Sequence, residues 1–233
     1  MSAGARPAYY ALAPGGWRDY VTLLHPPYTL WHLSYVVLGA AIVDGPLPWT
    51  RLAALLAAFL LAMGVGAHAL DELNGRPLAT RIGERVLWTL AVASITAACV
   101  IGVRAASLWT WWLLAFVAAG AFLVVAYNLE LFGGRFHGDR WFAAAWGAFP
   151  VLTAGFAVAE AVRPEVVAAA AFAYLASRAQ RILSTEARTL RRGAPELGAG
   201  ERRAGLRAPE AALRLLVLAH VALAVALLAA ELG

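Results

Sequence analysis

Residues 67–78 of this chain read Ala-His-Ala-Leu-Asp-Glu-Leu-Asn-Gly-Arg-Pro-Leu and end a long apolar run with a group of titratable side chains. If the helix that begins near Leu52 continues into this stretch, His68, Asp71 and Glu72 stand at i, i+3 and i+4 and share one face. The Asn-Gly-Arg-Pro run then ends the helix. Two carboxylates and an imidazole are costly to bury unpaired, so we expect a cation, a metal ion or water to contact them.

The composition indicates a membrane protein. The 233 residues are 62% hydrophobic and only 14% charged, whereas the charged share of a soluble domain is about a quarter. All 19 basic residues are arginines that adjoin apolar segments, so we expect them to contact anionic lipid head groups and not nucleic acid. The single cysteine, Cys99, lies in an apolar run, which excludes a disulfide framework.

Apolar runs bounded by turn residues predict an all-α polytopic membrane bundle of about seven transmembrane helices. We expect residues 1–27 to form an amino-terminal segment and residues 28–233 to form a single transmembrane domain. Within that domain, residues 184–209 are expected to form an arginine-rich loop. The predicted spans are Tyr28 to Val43, Leu52 to Leu70, Val86 to Val103, Leu108 to Val125, Trp141 to Val158, Val166 to Ser177, and Ala211 to Ala230.

The arginine distribution predicts the orientation. The amino-terminal segment and the loops after the second, fourth and sixth spans are rich in arginine, whereas the alternate loops hold only Arg51, Arg104 and Arg163. Arginine-rich loops stay in the cytoplasm, so we expect a cytoplasmic amino terminus in the plasma membrane of a prokaryote. Three polar clusters then share the cytoplasmic side and could form one cavity. The first cluster is His68 to Arg85, the second is Tyr127 to Arg140, and the third is Arg178 to Arg192.

The first cluster has two readings. Mg²⁺ binds through one or two carboxylates together with phosphate oxygens of a substrate, and Asp71 and Glu72 could supply those carboxylates. Alternatively, the acids form ion pairs with Arg76, four residues after Glu72, and with Arg81. The sequence leaves both readings open.

The second cluster contains Tyr127 and Asn128, which end an apolar helix and are expected to line a cavity. A glycine-rich loop with Arg135 follows, where the backbone can approach a ligand closely and side chains can donate hydrogen bonds. His137 and Asp139 fit an ordinary loop better than a site.

The third cluster places Arg178, Arg181, Thr185 and Arg188 on one helical face. Several guanidinium groups on one face can bind a diphosphate, because each can form bidentate hydrogen bonds. The alternative is a cytoplasmic anchor that contacts lipid phosphates.

In their order these features resemble the UbiA superfamily of intramembrane prenyltransferases. Residues 71–78, Asp-Glu-Leu-Asn-Gly-Arg-Pro-Leu, are similar to the tail of that family's first aspartate-rich motif. Tyr127, the glycine-rich loop and Trp146-Gly147 resemble the segment around its fourth and fifth helices. The chain departs from the family where His68 occupies an outer acidic position and where the second acidic motif retains only Glu186.

The resemblance implies a helical bundle that holds Mg²⁺ and an isoprenoid diphosphate and transfers the prenyl group to a lipophilic acceptor. It implies that Asp71, Glu72 and His68 are catalytic and that Asp71, Glu72 and Glu186 bind Mg²⁺. The alternative is a non-catalytic isoprenoid-binding or lipid-binding membrane subunit that has lost the second acidic motif. The expected substrate contacts are Asn74, Arg76, Tyr127, Asn128, Arg135, Arg178, Arg181, Thr185 and Arg188.

Overall fold

The computed structural model describes residues 7–193 and 198–232, and every regular element in these ranges is helical. The prediction of an all-α protein is therefore confirmed. The helices are α1 Trp17–Leu23, α2 Pro26–Ala41, α3 Trp49–Leu73, α4 Glu84–Leu108, α5 Leu113–Asn128, α6 Asp139–Ala159, α7 Pro164–Gly193 and α8 Ala199–Ala230.

Among the described residues, four helices are long and apolar enough to cross a bilayer: α3, α4, α6 and most of α8. This finding supports a membrane protein, but the predicted count of about seven spans is not confirmed. Helix α2 has 16 residues and rises about 24 Å, which is less than the hydrocarbon thickness of about 30 Å. Helix α5 is apolar but equally short.

Two groups of buried side chains hold the bundle together. The larger group joins α2 to α3, α4, α5 and α6. The smaller group lies where α2 meets α6, α7 and α8, and Trp31 and Tyr35 are fully buried in it. Small residues permit close approach there: a Cβ atom on Gly39 would overlap the Val151 carbonyl oxygen. Helix α2 is therefore the element around which the others pack.

Helices α3 and α6 each contain a π-helical segment, Leu60–Ala67 and Ala143–Ala148 respectively. In a π-helix the hydrogen bonds run from residue i to residue i−5, and single turns of this kind are frequent at functional sites. The first segment ends immediately before His68, and the second contains Trp146.

The predicted arginine-rich loop at residues 184–209 is largely helical. Helix α7 continues to Gly193, and α8 begins at Ala199, although residues 194–197 lie outside the described ranges. The prediction equated polarity with a loop, but arginine, alanine, leucine and glutamate are all good helix formers. The third cluster therefore lies on a helix.

Candidate functional site

A cavity of about 470 Å³ lies at the end of the bundle where α3 and α5 terminate and α2 and α6 begin. All three polar clusters contribute to its wall, together with residues 7–10 of the amino-terminal segment. The predicted site residues that line it are His68, Asp71, Asn74, Tyr127, Asn128, Arg181 and Arg188.

The two π-helical segments hold two histidines that line the cavity. His68 Nδ1 lies 3.1 Å from the Gly64 carbonyl oxygen, and His32 Nδ1 lies 2.8 Å from the Trp146 carbonyl oxygen. A carbonyl can only accept a hydrogen bond, so Nδ1 carries the proton in both rings. Each ring therefore keeps an unprotonated Nε2 as a hydrogen-bond acceptor or proton acceptor.

Glu72 does not line the cavity, although it adjoins Asp71 in the sequence. Its side chain is fully buried, and its two carboxylate oxygens accept hydrogen bonds from the backbone N–H groups of Leu78 and Thr80 and from the Thr80 hydroxyl, at 2.8–3.0 Å. This carboxylate holds the loop that follows α3, which replaces its predicted role as a catalytic and Mg²⁺-binding residue.

Arg76, a predicted substrate contact, also holds this loop and does not line the cavity. Its guanidinium donates to the Ile82 carbonyl oxygen at 2.6 Å, and in the described part of the chain it forms no ion pair with Glu72. The Glu72–Arg76 ion pair that one interpretation predicted is therefore not formed, because groups of the loop contact both side chains.

The face of α7 that lines the cavity is displaced around the helix axis by about one residue position from the face predicted from the sequence. It contains Gln180, Arg181, Ser184, Ala187, Arg188 and Arg191. Arg181 donates to Asp139 at 3.0 Å and stacks over the Phe142 ring, and Arg188 donates to the Thr185 hydroxyl at 3.0 Å. Thr185 therefore orients Arg188 from outside the cavity wall.

The remaining predicted residues lie away from the cavity. Arg135 and Glu186 are exposed, and Arg178 is half-buried on α7 beyond the cavity wall. Residue spacing alone predicted that Arg178 lies on the face of α7 that lines the cavity. That face instead lies on the side of the helix where Ser177, Gln180 and Ala187 are buried.

The predicted Mg²⁺ site does not fit these side chains. Of the three expected carboxylates, all within the described ranges, Asp71 alone lines the cavity. Across residues 7–193 and 198–232, no group of three or more His, Cys, Asp or Glu side chains is arranged to hold a metal ion. The permanently charged cations in the cavity wall are three arginines of α7, of which Arg181 is ion-paired with Asp139 and Arg191 with Glu210.

Asn74 connects the first and second clusters. Its side-chain amide donates to the Asn128 carbonyl oxygen and to the Glu130 carboxylate, both at 3.2 Å. The Asn128 amide in turn donates to the Val124 carbonyl oxygen at 2.7 Å. These contacts fix the end of α3 against the end of α5.

Several cavity residues were not predicted from the sequence. His137 lies against the Tyr127 ring and bonds the Tyr127 carbonyl oxygen at 2.8 Å, although it was interpreted as an ordinary loop residue. His32 is a lone histidine in an apolar helix, a pattern that by itself does not predict a site. Tyr10 and His25 carried no signal, because the amino-terminal segment has no helical periodicity that would place it over the bundle.

The Tyr10 hydroxyl lies 2.6 Å from His25 Nδ1, and the His25 ring stacks on the His68 ring with centroids 4.1 Å apart. Burial is the main cause that raises the pKa of Tyr10 well above 10, so the hydroxyl keeps its proton. Burial, with smaller contributions from His68 and His32, holds the pKa of His25 well below 6.5, so its ring is neutral.

A second, apolar crevice of about 100 Å³ lies farther along the same helices. Phe59 of α3, Val124 of α5 and Phe149 of α6 line it, and each is three or four residues from a residue that lines the polar cavity. The bundle thus offers a polar compartment and a neighbouring apolar one.

Comparison with protein-family models, with curated proteins and with solved structures finds no match to this chain.

Proposed function

We propose that the chain binds an isoprenoid diphosphate in the polar cavity and transfers its prenyl group to a lipophilic acceptor taken from the bilayer. The observation that carries this proposal is the meeting of Arg181 and Arg188 with Asp71 and His68 around one cavity. Guanidinium groups bind phosphate oxygens bidentately, and the apolar crevice nearby suits a hydrocarbon chain.

In the proposed reaction the α7 arginines neutralise the charge that grows on the departing diphosphate. The Asp71 carboxylate stabilises the positive charge that develops on the prenyl carbon as its bond to oxygen lengthens. Tyr127 and Asn128 form the wall between the polar cavity and the bundle interior. Because the expected Mg²⁺ ligands do not converge, no step of this scheme depends on a metal ion.

A non-catalytic isoprenoid-binding membrane subunit is the second candidate. One observation favours it: Glu72 is bound to the loop backbone and Glu186 is exposed, so the acidic groups around the cavity are few. Such a subunit would bind the same ligand without releasing diphosphate.

A turnover assay separates the two candidates. The detergent-purified chain is incubated with farnesyl diphosphate and a membrane lipid extract, and both released diphosphate and lipids heavier by one farnesyl group are measured. The proposal predicts both products with the wild-type chain and formation of both slower by about 100-fold or more with Asp71→Asn. Binding without either product would support the non-catalytic subunit.

A further inference from the structure

Three features at the cavity wall are not explained by ligand binding alone. His68 has its proton fixed on Nδ1 by the Gly64 carbonyl, which leaves Nε2 free to accept a proton. The flat face of His25 lies on this ring at an interplanar angle of 18°. His25 is held in turn by the Tyr10 hydroxyl.

The backbone of His25 has a left-handed conformation at the position of this contact. His25 is not a glycine, yet its φ of 45° lies in the left-handed region, immediately before Pro26 and Pro27 open α2. Such a conformation costs about 1 kcal/mol or more and is concentrated at functional sites. Its Nε2 atom is also buried with no hydrogen-bond partner among the described residues. The histidine that stacks on His68 therefore combines a left-handed backbone with a buried nitrogen that lacks a partner among the described residues.

We propose that His68 accepts the proton that the acceptor molecule loses during prenyl transfer, and that Tyr10 and His25 are positioning residues that hold the His68 ring for this step. This inference rests on the proposed function and deepens it. Tyr10 and His25, which precede α2, are thereby part of the reaction site.

The bond between the prenyl carbon and the diphosphate oxygen breaks, and the diphosphate leaves with the electron pair. The nucleophilic atom of the acceptor forms a bond to that carbon, and its proton passes to His68 Nε2. The resulting imidazolium lies against the neutral ring of His25, and Asp71 supplies an opposite charge in the same cavity.

The test uses a substitution that removes only the proton acceptor. In His68→Asn the side-chain amide can still donate to the Gly64 carbonyl, but no group replaces Nε2. His220 is the matched control, because its Nδ1 makes the same bond to a carbonyl four residues earlier, Leu216, at 2.7 Å, and it lies outside the cavity. We expect His68→Asn to lower kcat for farnesyl transfer about 100-fold and His220→Asn to leave kcat within about twofold.

Tyr10→Phe tests the positioning role. It keeps the aromatic ring but removes the hydroxyl that holds His25. We expect kcat to fall about tenfold because a misplaced catalytic group loses rate steeply, with KM for farnesyl diphosphate unchanged within about twofold. Tyr174→Phe on α7, outside the cavity wall, is the control for loss of a tyrosine hydroxyl.

Ring ¹⁵N spectra of histidine-labelled protein supply a readout that is independent of turnover. We expect the His68 signals to show a proton on Nδ1, and Tyr10→Phe to shift the His25 ring signals. If the wild-type chain transfers farnesyl groups but His68→Asn or Tyr10→Phe retains full kcat, this inference is overturned and the proposed function stands. A proton on Nε2 of His68 would also overturn this inference alone. Absence of transfer by the wild-type chain would instead overturn the proposed function.

Discussion

Asp71 and Glu72 are neighbours in the sequence but have different surroundings in the folded chain. Successive residues of a helix are about 100° apart around its axis, so one carboxylate lines the cavity while the other lies under residues 78–80 of the following loop. The chemistry of the site therefore depends on Asp71, and the stability of the loop depends on Glu72.

Glu72→Gln is expected to destabilise the protein without a specific effect on ligand binding. The glutamine amide keeps one oxygen that can accept a hydrogen bond. Its N–H₂ group replaces the second carboxylate oxygen and would face the N–H or O–H donors that now bond to that oxygen. Loss of such a buried charged hydrogen bond costs about 2 kcal/mol. Thermal unfolding in detergent should show a lower Tm, and the exposed control Glu186→Gln should leave Tm unchanged. An equal Tm for both variants would contradict the structural role of Glu72.

Asp71→Asn is expected to leave Tm nearly unchanged and to reduce farnesyl transfer by about 100-fold or more, because it removes a charge that acts on the transition state. Release of diphosphate is the measurement. Asp44→Asn, which changes an exposed carboxylate away from the cavity, should retain wild-type activity. Full activity in Asp71→Asn would refute its catalytic role.

Among single residues, the sequence identified those that end apolar helices. Asp71, Tyr127 and Asn128 were predicted to line a cavity because polar groups at such positions need partners. It did not distinguish Glu72 or Arg76 as loop contacts, because Glu72 bonds groups six and eight residues away and Arg76 bonds a carbonyl six residues away. Tyr10 could not be found, since its position depends on tertiary packing of a segment without periodicity.

At the scale of elements, close packing around α2 determines how the cavity is enclosed. Gly39 lets α2 approach α6 so closely that a methyl group would overlap the Val151 backbone. The same α2 carries His32 to the Trp146 carbonyl in the π-helical segment of α6. Packing of these two helices and the geometry of the site are therefore coupled.

Gly39→Ala is expected to lower the free energy of unfolding by about 2 kcal/mol, because the added carbon forces two helices apart. Gly200→Ala is the matched control: a methyl group there meets no atom within 4 Å, and alanine is the better helix former by about 1 kcal/mol. Thermal unfolding should therefore show a lower Tm for the first variant and an equal or higher Tm for the second. The reverse order would contradict the packing described for α2.

Helix positions could largely be predicted from hydrophobic runs, and each predicted span overlaps an observed helix. The extent of the polar ends was not predicted, because the arginine-rich sequence at the ends of α7 and α8 was interpreted as a loop from its polarity alone. The π-helical segments were not predicted either, since their one-residue insertions leave no clear pattern in runs of alanine, leucine and glycine.

At the scale of the whole molecule, the orientation in the membrane remains a prediction from arginine counting. Arg135 and Arg163 are exposed residues that flank opposite ends of α6. In a Cys99→Ala background, we expect a membrane-impermeant maleimide to label Arg163→Cys in intact cells and Arg135→Cys only after the cells are opened. The opposite labelling would place the cavity on the outer side of the membrane.

Binding of farnesyl diphosphate to the detergent-purified chain, with and without Mg²⁺, tests the central claim most directly. The account predicts binding that Arg188→Gln weakens at least about tenfold, the loss expected for a charge-assisted hydrogen bond. It predicts that Arg163→Gln, at the other end of α6, has no effect. Absence of binding, or equal binding by both variants, would contradict the account.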